Sequence, residues 1–573
     1  MSTTTMSIEE VHDALTAEGQ MFEMEEVEVR GVPIRAWKHA PENLAQILLL
    51  SSGYGDKDFL VYEDDRWSFD RHFRTATHLA HVLRDRYGVE KGDRVAVAMR
   101  NFPEWPVAFF GASAAGAIAT PLNAWWTQHE MSYGLSDSGA KVLICDGERL
   151  ERIAPELENF PDLHVIVVRE EGVEIPEGVD RLDDVLGEIP AEVALPEVEM
   201  GPEDDATLFY TSGTTGNPKG VLGTQRNICG GLISLAFVRE RGAMRSNTSS
   251  EAEMGDDGQN CSLLSIPFFH ATGCHSVLLG NLAAGGKLVM MRKWDPVRAM
   301  ELMEREGVTQ FGGVPSVVWQ VIEHPDFDKY DLSALKGIGY GGAPAAPELV
   351  RKIEEMFPGR GASNGYGLTE TSAISTMNAG VDYLQRPDSI GVPIPVCDVK
   401  VIDPHGDPLP PGEVGELCIK GPNVVKGYWN KPEATSDAFR DGWLHTGDLA
   451  RQDDEGFIYL VDRAKDMVIR GGENISSQEV EAALYEHPAV TDAAVIGIPH
   501  HVLGEEVGAV VHTAPGMSAT EDELQEFVSN KLARFKVPVK IWFFEEPLPR
   551  SPQGKLQKRQ LKDELLGDES ATA

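Results

Sequence analysis

Cysteine is scarce: six in 573 residues, at positions 145, 229, 261, 274, 397 and 418, with no Cys-x-x-Cys pair. Spacing this wide fits neither a disulfide framework nor a structural zinc site, and it points to a reducing cytoplasm. His270, Cys274 and His275 come nearest to a metal set, but they sit in an apolar run without a second ligand pair. Basic residues are also few, 51 against 91 acidic, giving a formal net charge of −40. A field of that sign disfavours nucleic acid and anionic lipid as partners and leaves small molecules. Screening confines the field to about 8 Å at physiological salt, so an anionic substrate can still bind wherever local cations stand. Apolar runs free of polar residues are missing too. The uncharged stretches 105–129 and 260–286 are long enough to cross a bilayer, but both carry Gly, Ser, Asn, Pro and His and read as buried core, with no transmembrane segment. The first residues show neither a basic n-region nor an apolar h-region, and residues 571–573 match no targeting tail, so no export is expected.

What is present is an ordinary globular composition, 42% hydrophobic and 25% charged, in a chain too long for one core. From about residue 40 the pattern alternates. Helices are expected over 72–87 and 106–119, and strands over 94–99, 141–145, 164–168, 287–291 and 336–340. Residues 170–200 and 245–260 read as acidic connecting loops. After about residue 395 short alternating strands follow, at 398–402, 416–419 and 456–461. A boundary is placed at 463–466. Beyond it, helices over 477–487 and 521–532 and strands near 493–496 and 508–512 make a small unit. The expected class is α/β: a large multi-layered N-terminal domain of mixed sheets and helices, residues 1–462, and a small α+β C-terminal domain, residues 463–573.

The densest chemical signal runs from Tyr210 to Gly220. Thr211, Ser212, Thr214 and Thr215 supply hydroxyls, Gly213, Gly216 and Gly220 relieve the backbone, and Lys219 adds a charge. Such a loop can turn N–H groups and an ammonium toward a triphosphate. It is not the Walker loop, because Gly220 follows the lysine where a magnesium-binding Ser or Thr would stand.

Downstream, in order, come 268–273, 341–344, 364–371, 442–448, 462–466, 471–474 and 549–555. Together they resemble the motif series of the adenylate-forming superfamily of acyl-CoA synthetases, amino-acid adenylation domains and firefly-type luciferases, over about residues 40–565. The resemblance implies carboxylate activation as acyl-AMP with ATP and Mg2+, and a mobile C-terminal domain that rotates between two half-reactions. It implies that Glu370 ligates magnesium, that Thr369, Thr215 and Lys219 contact phosphate, and that Asp448 accepts the ribose hydroxyls with Arg463 beside it. Gly341, Gly342 and Ala343 would leave room for the purine, with Asn364 reading its amino edge and Tyr366 stacking within the run Asn364, Gly365, Tyr366, Gly367. Lys555 matches the catalytic lysine of adenylation, Lys465 the hinge, and Gly471 and Gly472 the tunnel wall for the pantetheine of coenzyme A.

His270 bears on the branch. Amino-acid adenylation domains place an Asp near this segment, and here Phe269, His270 and Ala271 offer no carboxylate, which disfavours an α-amino acid. The 18 residues after Lys555 leave no room for a fused carrier domain, so free coenzyme A is the expected acceptor. Phe269, Phe311 to Val314, Trp319 and Tyr340 would line an apolar acyl pocket closed by His270, with Gly312 and Gly313 making it roomy. That favours medium- or long-chain fatty acids or bulky apolar acids. An aryl acid, and an enzyme loading a separate carrier protein, are the alternatives, and a non-enzymatic nucleotide binder comes last. Association into a homo-oligomer stays open. The window Lys531 to Lys562 holds nine Lys or Arg against Glu545 and Glu546, a net of +7. It reads as positive charge gathered around Lys555, with Lys558, Arg559 and Lys562 as a solvated helix end.

Overall fold

Side-chain alternation decides the layering. In strand Arg94–Ala98, Val95 and Val97 point one way and Ala96 and Ala98 the other, and all four are buried. A strand apolar on both faces has to be covered on both. The same holds for strand Val142–Asp146, where Val142 and Ile144 join one core and Leu143 and Cys145 another. In the computed structural model, which describes residues 6–211, 217–247, 255, 258–342, 347–463, 466–470, 473–514, 516–551 and 555–567, these strands lie inside an eight-stranded sheet. It is mostly parallel and ends on one side in the antiparallel hairpin Asp205–Thr211 and Lys219–Thr224 with the edge strand Gly427–Tyr428.

A nine-stranded sheet carries the parallel strands Cys261–Leu263, Gln310–Gly313, Gly337–Gly341 and Gly361–Tyr366. Helices Phe69–Asp85 and Glu104–Ala114 fill the space between the two sheets, sharing one core with Val95, Val97, Phe59 and Leu288. The second of these helices is buried all round, as expected for a helix apolar on every side. Its outer counterparts, Pro296–Glu306, Pro315–Ile322 and Pro347–Met356, cover the far face of the nine-stranded sheet.

Several expected boundaries move. The helix read as 106–119 stops at Ala114. Gly116 takes a φ of +82°, and Ile118–Pro121 then enters the sheet as a parallel strand. Residues 170–200 are more than a connector: Val179–Arg181 is the edge strand of the eight-stranded sheet and Leu182–Leu186 a short helix behind it. The helix Gln225–Arg245 runs into the loop expected from 245, and most of that loop lies outside the described residues.

A smaller antiparallel sheet follows, built on Gly415–Lys420, Trp443–Gln452 and Ile458–Arg463. The next strand, Val468–Arg470, belongs to another sheet, whose centre is the long hairpin Val490–His500 and Gly504–Thr513. Helices Ser477–Tyr485 and Glu521–Ser529 pack on it around a separate core. The chain is therefore a mixed α/β protein with a large N-terminal domain and a smaller C-terminal one. Among the described residues no helix is long and apolar enough to cross a membrane.

Candidate active site

The carboxyl ends of parallel strands are where open α/β sheets place ligands, and two expected segments meet there. Strand Gly337–Gly341 ends on Gly341 and continues into Gly342 at φ +75°. Beside it, strand Gly361–Tyr366 places Asn364 and Tyr366 in buried positions at its end. Ala343 lies outside the described residues. The glycines have a packing cause: a Cβ on Gly341 would stand 2.4 Å from the Gly365 carbonyl oxygen, and one on Gly367 would stand 1.9 Å from that of Ala373. Only glycine lets the backbones approach so closely.

Tyr366 and Asp448 come together. The phenol donates to Asp448 Oδ2 at 2.7 Å, and both residues are buried. Asp448 sits on Trp443–Gln452, whose register sets it opposite Arg463, a residue whose side chain lies outside the description. The carboxylate is thus held by the tyrosine that the sequence assigned to the purine, a pairing sequence reasoning missed.

Glu370 and Lys219 are joined through a residue the sequence did not flag. Tyr428 donates its hydroxyl to Glu370 Oε1 at 2.8 Å, and the Lys219 ammonium lies 4.9 Å from the centre of the Tyr428 ring. Burial and the adjacent carboxylate push the Tyr428 phenol well above its ordinary pKa, so it remains a donor. Glu370 occupies the single turn Thr369–Thr371, and its carbonyl accepts the Val425 N–H at 3.0 Å. Just after it, Ser372 and Ala373 take φ values of +51° and +99°, strained conformations for non-glycine residues. The one signal for Tyr428 was its place in a Tyr-Trp pair, since a tyrosine must find a hydrogen-bond partner when buried.

The phosphate hairpin pairs Thr211 with Lys219. Its tip, with Ser212, Gly213, Thr214, Thr215 and Gly216, lies outside the described residues. Gly220 belongs to the ladder opposite Tyr210, where a Cβ would meet Leu208 at 2.9 Å, so its role is packing rather than anion binding.

His270 follows buried Phe269, and the rare wide turn of a π-helix, Thr272–Leu278, begins two residues later. Burial, and then the Lys555 ammonium, push the imidazole down to about 3, so it is neutral at physiological pH. Lys555 of the C-terminal domain therefore stands within electrostatic reach of His270. It closes a short loop in which Ser551 N–H donates to the Lys555 carbonyl at 2.7 Å. Lys465, Gly471 and Gly472 lie outside the described residues.

Other expectations need correction. Phe311 and Tyr340 belong to the core beneath the outer helices, with Trp319 packed against it, so core packing accounts for them without an acyl pocket. A Cβ on Gly312 would fall 1.7 Å from the Gly339 carbonyl oxygen, so that glycine serves strand approach rather than room for a ligand. Nor is Lys558 solvated: its ammonium lies 2.6 Å from Glu481 with the side chain 16% exposed, and it donates to Ser477. Lys562 pairs with Glu505 at 3.1 Å, and Arg559 alone of the three is largely exposed. His270, Cys274 and His275 form no cluster with metal-ligand spacing among the described residues.

Comparison with known proteins agrees with this geometry. The sequence model of the AMP-binding enzyme family matches residues 51–429, and that of the AMP-binding enzyme C-terminal domain matches residues 479–555. A long-chain-fatty-acid–CoA ligase of Bacillus subtilis is 33% identical over 554 residues, covering 91% of this chain and 95% of the relative. A feruloyl-CoA synthase of an Amycolatopsis species is 36% identical over 490 residues, covering 85% and 92%. Among solved structures, the anthranilate CoA ligase AuaEII with anthranoyl-AMP superposes with a TM-score of 0.82 at 26% identity, covering 93% of this chain and 98% of that one. ATP-bound MatB from Rhodopseudomonas palustris gives 0.78 at 29%, covering 91% and 99%. The chain belongs to the AMP-binding enzyme family, whose CoA ligases use ATP, Mg2+ and coenzyme A.

Proposed function

We propose that the protein is an ATP-dependent acid:CoA ligase for apolar monocarboxylic acids, of medium- or long-chain fatty or bulky apolar type. The observation that supports this reading is that the Lys555 ammonium, from the C-terminal domain, acts electrostatically on a buried His270. A carboxylate substrate needs a cation at its acid end and surroundings that do not repel it. Here the ammonium is present. Phe268, Phe269, Ala271 and Cys274 around it are buried and apolar, which suits an acyl chain better than an ammonium-bearing amino acid.

In the first half-reaction the substrate carboxylate oxygen attacks the α-phosphorus of ATP, diphosphate leaves, and acyl-AMP forms. Lys555 stabilises the charge developing between the two anions. Asp448, fixed by Tyr366, accepts the ribose hydroxyls, Asn364 meets the purine edge, and Thr211 and Lys219 steady the phosphates together with the hairpin tip. Glu370 suits magnesium: Tyr428 holds one carboxylate oxygen and leaves Oε2 for the ion, which when bound neutralises phosphate charge. In the second half-reaction the CoA thiol attacks the acyl carbonyl, AMP leaves, and the thiol proton is lost to solvent. The C-terminal domain, 463–573, is proposed to turn about Lys465 so that Lys555 vacates the approach and Gly471 and Gly472 flank the pantetheine.

The feruloyl relative and the anthranilate ligase structure favour a second reading, an aryl acid. Carboxylate-dependent exchange of labelled diphosphate into ATP, followed by scoring of CoA thioester with fatty, hydroxycinnamic, aromatic and amino acids, tests both. Exchange driven best by amino acids, or no thioester with any acid, overturns the proposal.

A further inference from the structure

Glu416, Cys418 and His445 stand outside the chemistry above. Cys418 and His445 face each other across strands Gly415–Lys420 and Trp443–Gln452, and Glu416 lies two residues along the first strand, on the same side. Their ligand atoms lie within 4.8 Å of one another, the one such group among the described residues. His445 Nδ1 is 3.0 Å from Glu416 Oε2 and 3.6 Å from Cys418 Sγ. A tetrahedral zinc ion with ordinary Zn–S and Zn–N/O bonds has an S–N edge of about 3.6 Å and an N–O edge of about 3.3 Å. The first already matches, and the second asks the glutamate to withdraw by a few tenths of an ångström.

We propose that Glu416, Cys418 and His445 form a binding site for one zinc-class divalent ion, separate from the magnesium site and open at its fourth position. The donor set, one thiolate, one imidazole and one carboxylate, is that of a borderline-soft metal and not of magnesium or calcium. The mouth is open to solvent: the glutamate side chain is 32% exposed and the histidine 15%. An ion binds by displacing the thiol proton to solvent as the sulfur–metal bond forms. Glu416 Oε1 also accepts the Gly447 N–H at 3.0 Å, directly before Asp448, so the bound ion would tie down the turn that carries the nucleotide carboxylate.

The test uses the full-length protein titrated with Co2+, then Zn2+. The expected result is one thiolate-to-cobalt charge-transfer band per chain, bleached by stoichiometric Zn2+, absent in Cys418→Ser and weakened at least tenfold in His445→Gln. Calorimetry of the wild type with Zn2+ should show one ion bound per chain with a buffer-dependent enthalpy that reports release of the thiol proton, a readout that needs no folded variant. No band in the wild type, a band that survives Cys418→Ser, or no Zn2+ binding with proton release would each overturn the assignment.

Discussion

Tyr428→Phe removes one oxygen atom from the path between Lys219 and Glu370. The ring stays under the ammonium at 4.9 Å, so the cation–π contact is kept, while the 2.8 Å hydrogen bond to Glu370 Oε1 is lost. A hydrogen bond to a charged partner contributes about 1.5–3 kcal/mol, between about 10- and 150-fold in an equilibrium constant. If Glu370 holds magnesium, that loss lands on the metal, because a carboxylate free to rotate binds an ion less well than one fixed in place. The assay is diphosphate exchange at fixed ATP and acid over a ladder of Mg2+ concentrations. The half-saturating Mg2+ concentration should rise about tenfold or more, with the maximal rate partly recovered at high Mg2+ and the KM for the acid unchanged. Tyr428→Leu, which removes ring and hydroxyl together, should also weaken phosphate binding. Wild-type Mg2+ dependence in Tyr428→Phe, or a loss equal at every Mg2+ concentration, would refute the assignment of Glu370.

Lys555→Ala should lower acyl-AMP formation by about 10² or more while nucleotide affinity measured by calorimetry stays near wild type; parallel loss of both would contradict a transition-state role. Lys558→Met leaves Glu481 buried without its partner and should destabilise the C-terminal domain by about 3–5 kcal/mol. Restoration by the double variant Lys558→Met with Glu481→Leu separates that cost from lost packing, and a single variant as stable as wild type would refute it. Burial pushes His72 down to about 3 and His275 to about 4. The unfolded chain binds these protons near pH 6.5 and the folded one does not, so their stability is complete above 6.5 and is lost as pH falls toward 3–4. At pH 5 each should cost about 2 kcal/mol. Urea unfolding at pH 7 and pH 5 should show this, and His72→Leu should flatten the difference; an unchanged slope in that variant would count against it.

Most of the fold was legible because its strands carry local signatures. His164–Val168 and Asp398–Ile402 are short β-branched runs bounded by turns, and both form where expected. The misplaced elements lacked such marks. Ile118–Pro121 continues an apolar helix pattern with only Gly116 to separate them, and Val179–Arg181 is a polar edge strand with nothing to alternate. In the site, the motif order announced Asp448, Glu370 and Lys219 but not how they are held. Tyr366–Asp448 spans 82 residues and Tyr428–Glu370 spans 58, contacts between elements far apart in the chain that no local pattern records. The acyl pocket was the least legible part. Phe311 and Tyr340 look equally suited to a pocket or a core; the register sets Phe311 opposite Ile338 and Tyr340 between Gly313 and Asn364, and both join the cluster under the outer helices.

The basic window around Lys555 shows why a charge count misleads without partners. Read alone, Lys531 to Lys562 is a +7 patch in an acidic chain. In the fold, Lys531, Lys536, Lys540, Arg550, Lys558 and Lys562 each lie within 2.5–3.1 Å of a carboxylate contributed by an earlier part of the C-terminal domain: Glu486, Glu479, Glu521, Asp492, Glu481 and Glu505. Six of the nine cations are therefore matched within their own domain and contribute little to a long-range field that salt already screens beyond about 8 Å. Arg550–Asp492 and Lys558–Glu481 fasten the chain on either side of Lys555 to strand Val490–His500 and helix Ser477–Tyr485. On the proposed role of Lys555, the substrate meets one ammonium held between two fastened points, and its effect depends on position. Moving it by an ångström or two should matter more for catalysis than changing the domain's net charge. Neutralising exposed Lys540 should leave exchange rates near wild type, whereas Arg550→Ala, which removes one of the two fastenings and no charge that touches substrate, should slow them at unchanged nucleotide affinity. Exchange rates that followed net charge instead, with Lys540→Gln as slow as Arg550→Ala, would show that the field and not the placement of Lys555 drives the reaction.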